Sequence, residues 1–372
     1  MTDNQLLIKI CGKFGIEGEL VESKVFTDGH INSTYYTEFK HDGKTKKYLV
    51  QKVNTHVFRN QDDLMNNIIS VTKFLKKKLK AAGADYKRET LRFLKAENGK
   101  YFYMEGEDSW RIYHYIDNVY TCNIIDNKEL FEDSGRSFGR FQMLLSDYPG
   151  ETLKETIPDF HNTPKRISVL EEAFSEDVVE RAKEVTKEFE FLLDRKEKAG
   201  IGLSLLEKGE IPIRVTHNDT KINNILFDEK TNKGICVIDL DTIMPGLSLY
   251  DFGDSIRSGA NTAAEDETDI SKISVSLPLF ESYTKGFLES CAKALTMAEV
   301  EHLAYGAWLM TFESAVRFLT DYLKGDVYFK IKYPQHNLDR AGSQIALLKD
   351  IEKNLDKMNE IVLRIYEEKV SK

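Results

Sequence analysis

The sequence predicts an α+β protein in which a small antiparallel sheet is followed by a larger, mainly helical part. Three observations predict this fold. Apolar and polar residues alternate between residues 20 and 53, as in strands that bury one face. After residue 118 the apolar residues recur every three or four positions, as in amphipathic helices, and one hairpin near residue 230 interrupts them. We therefore expect two lobes, an N-lobe at residues 1–117 and a C-lobe at residues 118–372.

The composition bounds the class of protein. The chain has 372 residues, of which 41% are hydrophobic, and this is enough for a large core and for more than one lobe. Its net charge of −9 argues against a nucleic acid or an anionic membrane as partner. The N-terminus carries no basic or long apolar segment, and no apolar run approaches the length of a membrane span. We expect a cytoplasmic protein, and the sequence leaves its oligomeric state open.

The cysteines support the same compartment. They are scattered, without the paired spacing of a metal site, at Cys11, Cys122, Cys236 and Cys291. Such thiols are typical of a reduced, intracellular protein.

The elements follow from the periodicity and from the Gly-, Asn- and Asp-rich turns between them. In the N-lobe we expect a helix at 3–14, strands at 20–26, 33–39 and 47–53, a helix at 62–79, and strands at 91–96, 100–104 and 110–116. Together these strands give a sheet of about five, and the first three form a meander. In the C-lobe we expect helices at 128–145, 171–198, 273–295, 298–323 and 343–369, with a connecting loop at 149–164.

The central hairpin carries the chemistry. Two apolar runs, Ile225–Phe227 and Ile235–Ile238, flank a turn, with a polar loop before the first run and two carboxylates after the second. A loop carboxylate, an amide five residues further on and a carboxylate at a strand end are what metal-assisted phosphoryl transfer requires. We expect Asp219 to orient the attacking hydroxyl and accept its proton, and Asn224 and Asp239 to hold Mg²⁺ against the phosphates of a nucleotide. The alternative is a hairpin whose polar loop merely caps itself.

The spacing of these residues resembles that of a known family. His217, Asp219 and Asn224 form the pattern His-x-Asp-x₄-Asn, and the next strand ends in Ile-Asp at Asp239. This is similar to the catalytic loop and metal-binding aspartate of the aminoglycoside phosphotransferases and choline kinases, which are relatives of the protein kinases. The resemblance implies a protein-kinase-like two-lobe fold with ATP and Mg²⁺ as cofactors. We interpret His217 as a structural member of the loop, because Asp219 is the residue placed for the hydroxyl.

A second motif lies downstream of the hairpin. Asp251-Phe252-Gly253 spells the metal-binding tripeptide of protein kinases, but it does not end a strand. It opens a predicted helix in which Ser248 would be the N-cap and Asp251 the acid of a capping box. We therefore assign the metal to Asp239 and interpret Asp251 as a structural support of the catalytic loop.

The nucleotide contacts of the N-lobe are expected in the first turn, in the last strand of the sheet and at Gln51 on the third strand. The turn at residues 27–32 is the candidate phosphate loop, in which Gly29 would offer backbone amides and Asn32 would brace the turn. A single Gly in such a turn is common and alone favours a structural role, but the catalytic residues downstream reverse that preference. The resemblance implies that the strand ending at Tyr115 and Ile116 is the hinge that holds adenine. His114 has no evident catalytic partner and is interpreted as a packed histidine.

The sequence departs from the kinase pattern at one point. Kinase-like folds place a Lys on the third strand and pair it with a Glu on the following helix. Here Gln51 best matches the Lys position and is our candidate for the phosphate contact, while Lys52 should point to the opposite face. The helix at 62–79 has no Glu in its middle.

Longer strings narrow the resemblance to one branch of the family, the bacterial N-acetylhexosamine 1-kinases. The similar blocks are residues 28–32, 215–226, 238–246, 250–257, 317–319, 321–323, 325–329 and 332–338. The resemblance implies phosphorylation of the anomeric hydroxyl of N-acetylglucosamine or N-acetylgalactosamine. It implies sugar contacts from His30, Arg317 and Tyr328, and Asp241 is expected to contact the sugar or a second ion. Without it, Arg317 would be interpreted as a surface or ion-paired helix residue and Tyr328 as a core residue.

Two alternatives stay open. One is a kinase of the same fold for another small hydroxyl acceptor, such as a different aldose, an amino alcohol or an aminoglycoside. The other is a nucleotide- or sugar-binding regulator without catalysis. The missing Lys-Glu pair is the observation that suggests this alternative.

Overall fold

The structure, a computed structural model, describes residues 3–26, 32–125 and 127–371. The strands are β1 (Glu19–Phe26), β2 (Ser33–His41), β3 (Lys44–Val53), β4 (Tyr103–Glu105), β5 (Asp108–His114), β6 (Val119–Tyr120), β7 (Arg214–Thr216), β8 (Ile225–Asp228), β9 (Gly234–Val237) and β10 (Met244–Gly246). The helices are α1 (Asp3–Lys13), α2 (Gln61–Ala81), α3 (Tyr86–Glu89), α4 (Lys128–Leu144), α5 (Thr163–Glu176), α6 (Thr186–Leu193), α7 (Lys196–Ala199), α8 (Ile201–Glu207), α9 (Ser248–Gly259), α10 (Leu277–Cys291), α11 (Met297–Glu301), α12 (Leu303–Leu323) and α13 (His336–Val370). A small sheet lobe therefore precedes a larger helical lobe, and the predicted fold class is confirmed.

The N-lobe sheet has five strands in the order β1-β2-β3-β5-β4, all antiparallel, so the predicted meander is confirmed. Thr34 on β2 lies opposite Gln51 on β3, and Gln51 lies opposite Arg111 on β5. Directly opposed residues share a face of a sheet, so these three polar side chains form a row across it.

The two faces of the sheet pack against different elements. The outer face contacts α1, where Ile10 and Phe14 join Val50 and Ile112 in one apolar cluster. The inner face contacts α2 and the C-lobe, and its cluster includes Val53 together with residues of the central hairpin region such as Cys236 and Leu240. The polar row of Thr34, Gln51 and Arg111 therefore lies on the face that meets the C-lobe.

One predicted strand of the N-lobe is wrong. Residues 91–96 form only an isolated bridge, from Phe93 to Tyr113, although the main-chain N–H of Leu94 donates to Ile112. The reason is that β4 already pairs with the first half of β5, so residues 92–94 reach only the remaining part of the same edge.

The C-lobe core is a helical cluster around α9, α10 and α12, in which Phe252, Phe287 and Trp308 are fully buried. Helices α4 and α10 approach to backbone contact, because a Cβ atom at Gly286 would overlap the backbone of Glu132. None of the helices in the described ranges is both long and apolar enough to cross a membrane.

The helix predicted at 171–198 is also wrong. Helix α5 ends at Asp177, whose φ of 42° is left-handed, and the Asp177 carboxylate then accepts the main-chain N–H of Ala182. The chain continues as a short 3₁₀ turn and the separate helices α6 and α7. The periodicity of a continuous helix persists across this break, so the pattern alone does not reveal it. The other predicted helices are confirmed with shifted ends, the largest being the start of α13 at His336 and the division of α11 from α12 at His302.

The predicted central hairpin is confirmed as β8 and β9, and β6 adds a third strand beside β8. The short strands β7 and β10 pair with each other on the other side of the catalytic loop. These three-residue strands are too short to appear as a period in the sequence.

Candidate active site

The loop that follows β7 is held by the start of α9. The carboxylate of Asp251, which is 1% exposed, accepts the main-chain N–H groups of His217 at 2.9 Å and Asn218 at 2.8 Å. It also accepts the side-chain amide of Gln142 at 2.7 Å. Burial raises the pKa of Asp251, and its hydrogen bonds oppose that shift. Asp251 thus lies where a support of the catalytic loop is needed.

The predicted capping box is wrong, although α9 does begin at Ser248. The residue before the helix is Leu247, which has no side-chain cap, and the Ser248 hydroxyl donates to Glu299 instead. Asp251 is unavailable as a capping acid because its oxygens are used by the loop. One turn later Asp254 repeats the arrangement, since its carboxylate accepts the main-chain N–H of Thr220 at 3.0 Å.

His217 is completely engaged by the protein. Its Nε2 lies 2.8 Å from the carbonyl oxygen of Ile238, and its Nδ1 lies 3.3 Å from the main-chain N–H of Asp219. A carbonyl oxygen can only accept, so Nε2 carries the proton and Nδ1 accepts. The ring also contacts Phe138 edge-on. With both nitrogens used, the imidazole ties the loop to the end of β9 and has no free position for a substrate proton.

Asp219 and Asn224 are joined directly. The Asn224 side-chain NH₂ group donates to the Asp219 carbonyl oxygen at 2.8 Å and to its Oδ2 at 3.1 Å. The other carboxylate oxygen lies 3.1 Å from the ammonium of Lys221. Burial opposes ionisation of Asp219, but Lys221 and Asn224 lower its pKa below the ordinary value. Asp219 is therefore a carboxylate at neutral pH, fixed at the mouth of the loop.

Asp239 lies directly after β9 in a left-handed conformation, with φ 56° and ψ 57°. Its side chain is open to solvent on one side, yet the surrounding protein desolvates it and the carboxylates of Asp241 and Asp219 repel its charge. These effects raise the pKa of Asp239 to about 7. A cation bound here would remove the repulsion, so the electrostatics favour a metal ion.

The donors fit Mg²⁺ rather than a metal held by the protein alone. The described residues contain no group of three or more His, Cys, Asp or Glu side chains placed to hold a metal ion. Mg²⁺ is usually held by one or two carboxylates together with substrate phosphates and water. Asp239 and the amide oxygen of Asn224, whose NH₂ group makes the bonds to Asp219, are a donor set of this kind.

Asp241 is held by the N-lobe. Its Oδ1 lies 2.5 Å from Nη1 of Arg111, and its Oδ2 accepts the Asn32 side-chain amide at 2.6 Å. The side chains of Arg111 and Asp241 are only 3% and 5% exposed. In this arrangement both oxygens of Asp241 bind protein groups rather than facing a substrate.

The predicted nucleotide contacts lie along the inner face of the sheet. Asn32 also accepts the main-chain N–H of Asn54, which ties the end of the first turn to the end of β3. Gln51 lies between Thr34 and Arg111, donating to the first and accepting from the second. As predicted, Lys52 points to the other face, where it pairs with Asp108. Gly29 and His30 lie outside the described residues.

The predicted hinge follows β5 without a break. The main-chain N–H of Tyr115 donates to Lys47 on β3, and Ile116 is buried in the cluster between the lobes. His114 packs against Tyr48 with ring centroids 5.5 Å apart, and burial lowers its pKa to about 4. His114 is a packed histidine, as predicted.

The two sugar contacts predicted on the C-lobe lie together. The guanidinium carbon of Arg317 is 5.8 Å from the ring centre of Tyr328, 5.3 Å from that of Phe160 and 5.5 Å from that of Phe329. Tyr328 is 58% exposed, so its interpretation as a core residue is wrong. Within the described ranges no carboxylate lies within 4.0 Å of Arg317, so the ion-paired interpretation is wrong as well.

Comparison with known proteins agrees with this geometry. Residues 22–271 match the model of the phosphotransferase enzyme family. The matched range includes the candidate phosphate turn and the loop and strand end that carry Asp219 and Asp239. The chain belongs to this phosphotransferase family. It is therefore expected to move a phosphoryl group, and its fold can be compared with solved structures.

Three solved structures resemble the phosphotransferase over nearly the whole chain. Spectinomycin phosphotransferase in complex with ADP and spectinomycin is 13% identical, with 98% of both chains covered and a TM-score of 0.57. A microcompartment-associated aminopropanol kinase is 14% identical, with 96% and 99% covered and a TM-score of 0.56. Choline kinase from Cryptosporidium parvum is 13% identical, with 98% and 99% covered and a TM-score of 0.58. At these identities the likeness establishes the fold of the phosphotransferase.

Sequence reasoning missed Arg111, which contacts two of the candidate site residues, Gln51 and Asp241. It lies in the middle of β5, where the sequence indicates only a strand. In an antiparallel sheet the residue opposite Gln51 must share its face, but the sequence does not say which residue lies opposite. Register cannot be deduced from strand positions alone, so the pairing became visible only in the structure.

Proposed function

We propose that this phosphotransferase transfers the γ-phosphoryl group of ATP, in the presence of Mg²⁺, to the anomeric hydroxyl of N-acetylglucosamine or N-acetylgalactosamine. The transfer step is supported by the ionised carboxylate of Asp219 beside Asn224 and Asp239. The acceptor is supported above all by Arg166 and Arg317, two arginines of the C-lobe that both contact Phe160. Arg317 also lies near the ring of Tyr328. Each half of the proposal is argued separately below.

Asp219 would hold the attacking hydroxyl and accept its proton late. The transition state of phosphoryl transfer is loose, so positioning and charge neutralisation provide most of the catalysis. The rigid attachment of the loop to α9 favours accurate positioning. Asn224 and Asp239 would hold Mg²⁺, which would supply charge neutralisation at the nucleotide phosphates. We also propose that the main chain at Tyr115 and Ile116 holds adenine, and that the lobes meet between residues 117 and 118.

The acceptor region is connected to Asp219 by polar contacts. Asp254, which holds Thr220, forms an ion pair with Arg257 at 2.9 Å, and Arg257 pairs with Glu265 at 2.8 Å. The adjacent Asp266 binds both Lys332 and His336. The segment around residue 330, next to Tyr328, is thus linked to the catalytic loop. This supports an acceptor site between Asp219 and the Arg317 cluster.

The charge of that region favours a neutral acceptor. Arg166 donates to the carbonyl oxygen of Phe160, while Arg317 lies over the ring of the same residue. Burial, followed by the positive charge of Arg317, lowers the pKa of Arg166. The nearby carboxylate of Glu313 is already used by His161 and Thr163. A cationic acceptor such as choline or an aminoglycoside would therefore meet the positive charges of Arg166 and Arg317.

An N-acetylhexosamine fits the same groups. Its hydroxyl and acetamide oxygens can accept hydrogen bonds from the guanidinium groups, since Arg offers five donors and no acceptor. The exposed ring of Tyr328 and the ring of Phe160 can pack against the sugar face. An amino alcohol has no sugar face to pack on these rings, and an aminoglycoside carries ammonium groups that the two guanidinium groups would repel.

The test is a panel of acceptors. The purified protein is incubated with ATP and Mg²⁺ and, separately, N-acetylglucosamine, N-acetylgalactosamine, glucose, galactose, choline and kanamycin, and products are identified by phosphorus NMR. We expect sugar 1-phosphates from the two N-acetylhexosamines. The Asp219→Asn protein, prepared identically, controls for contaminating kinases. Transfer only to another acceptor would remove the sugar assignment, and absence of any transfer would favour the regulator.

A further inference from the structure

In the part of the N-lobe that the structure describes, β3 and α2 lack the Lys-Glu ion pair that kinase-like folds use to position nucleotide phosphates. The Lys position on β3 is Gln51, and Lys52 is paired on the outer side with Asp108. Helix α2 does not supply the Glu either. Its acidic residues lie in the first turn, where Asp62 pairs with Lys100, and its contact with the site is the sulfur of Met65. If the phosphates are positioned by an ion pair in this protein, other residues must form it.

Arg111 brings a positive charge to the same place from the next strand. It lies opposite Gln51, and its Nε donates to Gln51 Oε1 at 2.9 Å. Its Nη1 is 3.9 Å from the sulfur of Met65, on the helix where a kinase would have its Glu. The guanidinium therefore occupies the space between β3 and α2 in which the missing pair would lie.

Its carboxylate partner comes from the other lobe. Nη1 of Arg111 lies 2.5 Å from Oδ1 of Asp241, which is two residues after Asp239. The second oxygen of Asp241 accepts the amide of Asn32, at the end of the candidate phosphate turn. Arg111, Asp241 and Asn32 thus connect the β5 strand, the aspartate turn and the phosphate turn.

A structural explanation of this pair is weak. Burying two charges is costly even when they are paired, and an apolar pair of similar size often stabilises a protein as well or better. The side chains of Arg111 and Asp241 are only 3% and 5% exposed, and the pair joins the N-lobe sheet to the turn that follows β9. A buried ion pair at such a place is better explained by positioning of the groups around it.

We propose that Arg111 is a positioning residue that replaces the β3 lysine, and that Asp241 replaces the glutamate of the following helix. Through its ion pair with Asp241, Arg111 fixes the turn that contains Asp239 relative to Asn32, whose side-chain amide Asp241 accepts. In kinases both members of the pair belong to the N-lobe, whereas here the pair joins the two lobes. The inference rests on the proposed ATP-dependent function.

The test compares Arg111→Gln with a transplant of the charge to β3. Positioning residues around metal sites typically change affinity or activity by about 10- to 100-fold. We expect Arg111→Gln to weaken Mg²⁺-ADP binding, measured by calorimetry, and to raise the KM for ATP by this amount while the KM for the acceptor is unchanged. The double variant Arg111→Gln/Gln51→Lys should regain part of the loss, because a lysine at position 51 restores a cation on the same face. Arg111→Lys should lie between wild type and Arg111→Gln.

Lys52→Gln is the matched control, since it removes a positive charge one residue from Gln51 on the outer face and should change neither KM. Arg111→Gln with wild-type Mg²⁺-ADP binding, or a double variant no better than Arg111→Gln, would overturn the inference. If Arg111→Gln fails to fold, Mg²⁺-ADP binding is compared between Arg111→Lys and wild type. Weaker binding by Arg111→Lys would support the inference, and equal binding would overturn it. Failure of the wild type to bind Mg²⁺-ADP would instead remove the proposed function itself.

Discussion

Asn224 donates its side-chain amide to both the carbonyl oxygen and the carboxylate of Asp219, so the two residues form one rigid unit. The unit leaves the second carboxylate oxygen of Asp219 beside Lys221 at the edge of the cleft. Substitutions at Asp219 or Asn224 can therefore change catalysis while the fold stays intact.

Asp219→Asn should remove most of the activity without unfolding the protein. Loss of a positioned general base typically costs about 10²- to 10⁴-fold in kcat. The new amide keeps the volume of the carboxylate, and its oxygen can still accept from Asn224. The measurement is kcat for the best acceptor together with the unfolding midpoint in urea. A well-folded variant with near-normal turnover would remove Asp219 from the mechanism.

Asp251→Asn should act on both stability and activity. The two main-chain N–H groups of His217 and Asn218 now share one carboxylate, and an amide can serve at most one of them with its oxygen. An unsatisfied buried donor costs about 1–3 kcal/mol. We expect the free energy of unfolding, measured by urea denaturation, to fall by about that amount, and kcat to fall with it. Asp269→Asn, an exposed cap of a single turn, is the control and should have little effect.

His114 should make stability depend on pH. Burial lowers its pKa to about 4, whereas in the unfolded chain the pKa is about 6.5. The unfolded state therefore binds more protons between these values, and the contribution of neutral His114 to stability is complete above pH 6.5 and lost as the pH falls towards 4. His114→Phe should lose less stability than wild type between pH 7 and pH 4.5 in urea titrations. Parallel curves for the two proteins would contradict the assignment.

Arg317→Ala should weaken the acceptor and spare the nucleotide. A hydrogen bond to a charged group contributes about 1.5–3 kcal/mol, which corresponds to a change of about 10- to 100-fold in KM. We expect this increase in the KM for the N-acetylhexosamine, with the KM for ATP unchanged. Arg364→Ala is a matched control, because Arg364 is an exposed helical arginine paired with Glu281. Equal changes in both Michaelis constants would indicate a general structural effect instead.

The sequence was sufficient where local pattern determines structure. Periodicity predicts the hairpin at residues 225–238, the meander and the long helices α2, α4, α12 and α13. The spacing of Asp219, Asn224 and Asp239 predicts that these three residues form a polar cluster. It was insufficient where structure depends on partners distant in the chain. Ser248 turned to Glu299 rather than capping its own helix. Arg111 is identified by its contacts with Gln51 across the sheet and with Asp241 in the other lobe. Neither contact corresponds to a fixed spacing in the sequence.

The attachment of the catalytic loop to α9 has a consequence for motion. Nearly every residue of α9 is buried, and this helix provides the carboxylates of Asp251 and Asp254 that hold the main-chain N–H groups of His217, Asn218 and Thr220. We therefore expect those amide protons to exchange with solvent only when the helical core itself opens, and to be among the slowest-exchanging of the described residues. Adaptation to different acceptors must therefore come from the exposed segments around Glu265 and Val327, while the chemical centre behaves as part of the core.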